Sequence, residues 1–151
     1  MKKFFSVLAL AIVIASCNKK EENNTKTTET DTVTAEIKTD RIVSLNGAVT
    51  ETLASLDVAG NIVGRDVTST FPADLKATDL GHVRSITAES ILALQPSVVF
   101  GTTKDVNPNL NEQLKKANIP LVLIDQEYSI DGSKKLITEV ATKLKKDNYQ
   151  P

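Results

Sequence analysis

The chain has 151 residues, with 18 Lys and Arg against 19 Asp and Glu, so its formal net charge is −1. This length suits one ordinary domain rather than two, and the balanced charge argues against nucleic acid as a partner. The sequence contains one cysteine and one histidine. It therefore offers neither an internal disulfide nor the several nitrogen and sulfur ligands of a zinc site.

Residues 1–17 have the pattern of an export signal. A basic start precedes an apolar core at residues 4–14, which is too short for an ordinary transmembrane helix. Ala15 and Ser16 stand directly before Cys17, which resembles a bacterial lipobox, in which the cysteine is lipidated. A plain secretory signal with a chance cysteine is the alternative. We expect an exported chain, lipid-anchored through Cys17 at the periplasmic or outer face of a membrane.

Residues 18–40 are rich in Lys, Glu, Asn and Thr and hold few apolar residues. Such a segment buries too little surface to offset the entropy cost of ordering it. We expect a disordered tether here, followed by one ligand-binding lobe over residues 41–146 and a truncated tail at residues 147–151.

Apolar runs that alternate with amphipathic segments predict the elements of the lobe. This alternation is typical of a parallel sheet with right-handed crossovers, so the predicted fold is α/β, a single Rossmann-like lobe with roughly four strands flanked by helices. Strands are expected at residues 41–45, 61–64, 98–101 and 120–124, and helices at residues 49–56, 109–117 and 131–145. A short helix is also expected between Thr87, its N-cap, and Pro96, and residues 68–79 are expected to form a loop.

Ligands of such sheets bind beyond the carboxyl ends of the strands. Asn46, Arg65 and Thr102 each fall at such an end and are candidates for the rim of a cleft. For Arg65, a turn-stabilising pair with its neighbour Asp66 is the favoured alternative.

The only histidine, His82, follows Gly81 in a connection that leads back to the sheet, and Arg84 comes two residues later. Irregular backbone is expected here, so both side chains are predicted to project from it. His82 is a candidate metal ligand, with an exposed histidine of no special role as the alternative. A surface salt bridge, which contributes little, is the corresponding alternative for Arg84.

Catalytic motifs are absent: the chain has no GxGxxG, Walker loop, Gly-x-Ser-x-Gly elbow or CxxC. We therefore predict a binding protein that is not an enzyme and has no cofactor of its own. Phe71 and Tyr128 are interpreted as covering apolar surface, with stacking on a flat ligand as the alternative.

With these residues in view, the chain resembles the solute-binding components of haem, siderophore and cobalamin ABC importers. The likeness rests on the lipobox, the tether, and the segments at residues 41–45, 49–51, 64–69, 79–84 and 87–96, and it covers roughly Arg41 to Leu144. The Gly-x-x-Arg element from Gly81 to Arg84 is similar to the haemin-binding branch of this group.

The resemblance implies two α/β lobes joined by a long helix, with ligand in the cleft between them. This chain has residues for the first lobe only, which we interpret as a truncated or short N-terminal lobe. Haemin-binding members commonly place a tyrosine where this chain has His82, and histidine is also an axial ligand of haem iron. The resemblance thus implies His82 as the iron ligand and Arg84 as the partner of a haem propionate or of the axial ligand.

Glu89 is expected in the first turn of its helix, where the helix dipole favours a carboxylate. The resemblance implies a further role for Glu89, docking against a basic pocket of the permease. The predicted function is a substrate-binding lipoprotein that captures haemin and delivers it to an ABC permease and its ATPase. A siderophore or cobalamin binder of the same family, or a truncated non-transporting surface lobe, is the alternative.

Overall fold

A computed structural model of the protein describes residues 37–146. The predicted signal, Cys17, most of the predicted tether and the tail at residues 147–151 lie outside this range. Contacts with the lobe begin before the first strand, because Ile37 packs against the core and the Thr39 carbonyl accepts a hydrogen bond from Asn61 Nδ2 at 2.8 Å.

The fold is built on five parallel strands in the order β3-β2-β1-β4-β5. They are β1 (Ile42–Ser44), β2 (Ile62–Arg65), β3 (Thr78–Asp79), β4 (Val98–Thr102) and β5 (Leu121–Ile124). The parallel α/β fold is confirmed. The sequence predicted roughly four strands. The fifth strand, which was not predicted, is β3, and it lies at the end of the predicted loop at residues 68–79.

Four α-helices flank the sheet: α1 (Gly47–Ser55), α2 (Ala88–Leu92), α3 (Pro108–Lys116) and α4 (Ile130–Lys143). Two 3-10 turns, Ala59–Asn61 and Val83–Ser85, complete the described elements. Each α-helix begins after a polar residue whose side chain accepts a hydrogen bond from a backbone N–H of the first turn, as N-cap residues do. These residues are Asn46, Thr87, Asn107 and Ser129.

Two apolar clusters cover the two faces of the sheet. Ile42 and Phe100 point to the face that α1 and α4 cover, whereas Val43 and Val99 point to the face that α2 and α3 cover. This alternation follows from the two-residue period of a strand. Within residues 37–146, no helix has the length and apolar character needed to cross a bilayer.

The strand order places a topological switch point between β1 and β4. The chain runs outward from β1 to β2 and β3, and then continues with β4 on the other side of β1. Helix α1, which follows β1, and helix α3, which follows β4, therefore pack on opposite faces of the sheet. Such a divergence opens a crevice outside the carboxyl ends of the two strands, the usual ligand site of open α/β sheets.

Candidate functional site

An open cleft of about 630 Å³ lies along the carboxyl edge of the sheet. Residues that follow all five strands contribute to its lining, so the cleft spans the whole edge and includes the switch point. The lining residues are Asn46, Gly47, Ala48, Glu51, Asp66, Thr68, His82, Val83, Arg84, Asp105, Gln126 and Tyr128.

Asn46, Asp105 and Gln126 form what we call the cleft floor. Asn46 Oδ1 caps α1 by accepting from the Val49 N–H at 3.2 Å. Its Nδ2 donates to Asp105 Oδ2 at 2.8 Å and to Gln126 Oε1 at 3.2 Å. One amide group therefore ties together the ends of β1, β4 and β5.

Asp66 belongs to a second internal network beside the floor. Its carboxylate is only 1% exposed and accepts hydrogen bonds from the Thr68 hydroxyl and the Ser69 hydroxyl, each at 2.6 Å, and from the Thr68 N–H at 3.2 Å. The Ser69 hydroxyl also lies 2.6 Å from the Thr50 hydroxyl, which donates to Ser44 Oγ at 2.8 Å. These groups are occupied with one another, which indicates a structural role.

His82 lies exposed on the cleft and caps the Val83–Ser85 turn. Its Nδ1 accepts from the Arg84 N–H at 3.3 Å, and its carbonyl accepts from the Ser85 hydroxyl at 2.8 Å. The preceding Gly81 has φ +87°, the left-handed region that favours glycine. His82 lies in irregular backbone, as predicted, whereas Arg84 lies in a capped 3-10 turn, which corrects the prediction for Arg84. Nε2 of His82 has no partner in the described range.

The two arginines of the carboxyl edge differ in their surroundings. Arg84 is exposed, lines the cleft, and has no carboxylate or carbonyl partner among residues 37–146. Arg65 instead pairs with Asp79 Oδ2 at 3.3 Å and donates to the Asp66 carbonyl at 3.1 Å. Arg84 is thus available to a ligand, whereas Arg65 ties β2 to β3.

Two of the three predicted rim residues do not line the cleft. The Arg65 side chain is engaged at the β2–β3 edge, where its ion-pair partner is Asp79 rather than the Asp66 of the predicted turn-stabilising pair; Asp66 contributes only its backbone carbonyl. Thr102 is fully buried at the end of the inner strand β4, and its hydroxyl donates to Asp105 Oδ2 at 2.7 Å. Thr102 therefore supports the cleft floor from inside, and Asn46 alone of the three reaches the cleft.

The sequence did not single out Asp105 or Gln126, although each follows the carboxyl end of a predicted strand, which is the signal that would have found them. The interpretation of Phe71 and Tyr128 as cover for apolar surface is wrong, since their exposed fractions are 58% and 83%. Tyr128 lines the cleft and Phe71 does not.

Glu89 is exposed in the first turn of α2 and does not line the cleft. Its carboxylate accepts hydrogen bonds from its own backbone N–H and from the Thr87 side chain, which hold the pKa of Glu89 below its ordinary value. Glu89 therefore presents a full negative charge at neutral pH, next to the carboxyl edge where α2 begins.

The cleft offers a ligand one imidazole and one guanidinium. Two of its three lining carboxylates, Asp66 and Asp105, are held by internal donors. One imidazole supplies a single metal ligand, which suits a metal whose other positions are filled by the ligand molecule itself. The guanidinium suits carboxylate groups on the same molecule.

The profile of a family described as periplasmic binding protein matches residues 42–148. A similar solved structure is the apo form of the periplasmic heme-binding protein RhuT from Roseiflexus sp. RS-1, with 32% identity and a TM-score of 0.69 over 74% of this chain and 43% of that one. A periplasmic heme-binding protein from Pseudomonas aeruginosa has 26% identity and a TM-score of 0.66 over 72% and 39% of the two chains.

HutB of Vibrio cholerae, also described as a periplasmic heme-binding protein, has 27% identity and a TM-score of 0.64 over 74% of this chain and 46% of that one. This chain thus spans less than half the length of each of these three structures. The comparison with curated proteins finds no match.

Proposed function

The chain belongs to the periplasmic binding protein family, and from this premise we propose that it captures haemin and hands it to an ABC importer. Membership of the family implies an exported protein that binds a solute. The observation that carries the proposal is the joint position of His82 and Arg84 on one open cleft. Three similar structures described as heme-binding proteins support the choice of solute.

His82 is proposed as an axial ligand of the haem iron, through Nε2. In the structure Nδ1 accepts the Arg84 N–H at 3.3 Å, an arrangement in which a neutral ring carries its proton on Nε2. Iron binding at Nε2 requires the other tautomer, with the proton on Nδ1. Haemin binding therefore gives up this long cap hydrogen bond, and the Val83–Ser85 turn must adjust as the iron binds.

Arg84 is proposed to bind a haem propionate. Its guanidinium has five N–H donors and matches a carboxylate in a two-point contact. With His82 two residues before it, the same turn supplies both an iron ligand and a cation for the edge of the macrocycle. Siderophore and cobalamin binding by the same cleft are the competing possibilities.

Selectivity tests this proposal directly. We expect haemin to saturate the purified chain at lower concentration than a ferric hydroxamate siderophore or cobalamin, because only haemin offers both an open axial position and propionates. Because the chain contains no tryptophan whose fluorescence could report binding, the dissociation constants are measured by calorimetry or visible absorption. Tighter binding of either competitor would contradict the haemin proposal.

Glu89 is proposed to dock against a basic pocket of the permease. A matched control is Asp131, which is also an exposed acid in the first turn of a helix, α4. Glu89→Gln should leave haemin affinity unchanged and weaken binding to a haem-type permease in nanodiscs several-fold, whereas Asp131→Asn should change neither. Equal permease binding by wild type and Glu89→Gln would rule out this role.

Lipidation of Cys17 is proposed as the anchor that keeps the chain at the membrane. Cys17→Ser should move the exported chain from the membrane fraction to the soluble fraction. Retention of the variant in the membrane fraction would contradict the anchor.

A further inference from the structure

Tyr128 has an unusual environment for a large aromatic side chain. It lies in the connection from β5 to α4, lines the cleft, and is 83% exposed. Most aromatic side chains bury their rings, because each ring carries a large apolar surface. A solvent-exposed ring that lines a cleft offers an apolar surface that a ligand can contact.

The Tyr128 ring is held in place from one side. The Lys104 ammonium lies 5.0 Å from the ring centroid, a distance at which a cation is attracted to a ring face. The same ammonium donates to the Gln126 carbonyl at 2.7 Å, which anchors it to the cleft floor. One face of the ring is thus covered by Lys104, which leaves the other for a ligand.

The backbone on both sides of Tyr128 is also fixed. Ser129 caps α4, its hydroxyl accepting from the Gly132 N–H at 2.9 Å. Gly132 lies so close to the backbone of Glu127 that a Cβ at this position would clash with the Glu127 carbonyl. The backbone that carries the ring is therefore fixed by its own contacts, which lowers the entropy cost of placing the ring on a ligand.

Tyr128 and the His82 turn follow opposite edge strands. His82 and Arg84, which follow β3, form one wall of the cleft, and Tyr128, which follows β5, forms the other. The two edge strands are four strand spacings apart, which is about 19 Å. Side chains from both walls line one cleft. A ligand that contacts both walls must be broad, and an aromatic wall favours a flat one.

We propose that Tyr128, held by Lys104, stacks on the flat face of the macrocycle and so selects planar conjugated ligands for this cleft. This inference rests on the proposed function and adds a second contact on the opposite wall from His82. Stacking is independent of the metal, because it uses the ring system of the ligand rather than the iron. Open-chain chelates, which present no flat conjugated face, gain nothing from it.

The test uses two ligands that differ only in the metal, haemin and iron-free protoporphyrin IX. The purified chain and its variants are titrated with each, and their thermal midpoints are compared to verify folding. Tyr128→Ala should weaken both ligands by about the same factor, roughly fivefold to tenfold for the loss of one stacked pair. Tyr128→Phe keeps the ring and should bind both ligands like wild type. His82→Ala should weaken haemin alone.

Phe71→Ala is the matched control, because Phe71 is an exposed aromatic residue outside the cleft. It should bind both porphyrins like wild type. Lys104→Met removes the ammonium and keeps most of the stem, so it should weaken both porphyrins less than Tyr128→Ala does.

Each other outcome overturns a stated part of the account. If wild type binds both porphyrins and Tyr128→Ala binds them equally well, the stacking inference fails while haemin binding stands. If Tyr128→Phe loses haemin but keeps the iron-free porphyrin, the hydroxyl is contacting iron and stacking is wrong. If wild type binds neither porphyrin, both the proposed function and the stacking inference fail.

Discussion

The floor and the rim of the cleft contrast in how their polar groups are used. In the floor and the adjoining Asp66 network, amides, hydroxyls and carboxylates are hydrogen-bonded to one another. By the rim we now mean His82, Arg84 and Tyr128, which are exposed on the cleft. They leave an imidazole nitrogen, a guanidinium and a ring face available to a ligand. The comparison separates residues that hold the edge of the sheet together from residues that can meet a ligand.

The largest expected effect is a loss of folding stability when the buried Asp66 network is broken. Asp66→Ala should lower the free energy of unfolding by about 3 kcal/mol, because two hydroxyls and one N–H lose their acceptor in a buried site. Denaturant unfolding followed by circular dichroism measures it. The control Asp66→Asn, which keeps one acceptor oxygen, should lose less. An unchanged denaturation midpoint in Asp66→Ala would show that the network contributes no stability.

The rim should respond in binding rather than in stability. Arg84→Ala should weaken haemin about tenfold and reduce the salt dependence of binding, since the lost contact is ionic. Its unfolding free energy should stay within about 0.5 kcal/mol of wild type, as is usual at an exposed position without structural partners. Arg84→Lys should recover part of the affinity, and Arg65→Ala is the control outside the cleft. Unchanged haemin affinity in Arg84→Ala would remove Arg84 from the site.

The smallest expected effect is the pH dependence that comes from Glu89. Its folded pKa is lowered by its own backbone N–H and by Thr87. Its contribution to stability is therefore complete above the unfolded pKa of about 4.3 and is lost as the pH falls through the lower folded value. The stability advantage of wild type over Glu89→Gln should be constant near neutral pH and shrink below about pH 4.3. The difference between the thermal midpoints of wild type and Glu89→Gln, measured across this pH range, tests the prediction. A difference that grows as the pH falls would contradict it.

The sequence predicted the parallel α/β fold because apolar runs of strand length alternate along the chain with amphipathic helical segments. It did not predict β3, since Thr78 and Asp79 are polar and exposed, and only pairing with Gly64 and Arg65 makes them a strand. The error at Arg65 follows from this omission, because its ion-pair partner Asp79 lies in the unpredicted strand.

The site was predictable where a residue directly follows a strand or belongs to a recognised motif. Asn46 satisfies the first condition, and His82 and Arg84 satisfy the second. Thr102 follows the same rule, but its side chain points inward from a strand covered on both faces. Asp105 and Gln126 also follow predicted strands, but their hydrogen bonds to Asn46 join residues that lie 59 and 80 positions apart along the chain. No local pattern predicts such contacts.

Haemin titration of wild type and His82→Ala, followed by visible absorption, tests the central claim most directly. The account predicts a saturable Soret shift in wild type and its loss or displacement in His82→Ala, because the rim imidazole binds the iron. His82→Ala should remain folded, with only a slightly lower denaturation midpoint, because the exposed side chain gives up a single capping hydrogen bond of 3.3 Å. A Soret shift identical in the two proteins would contradict His82 as the ligand, and no saturable shift in wild type would contradict haemin binding by this cleft.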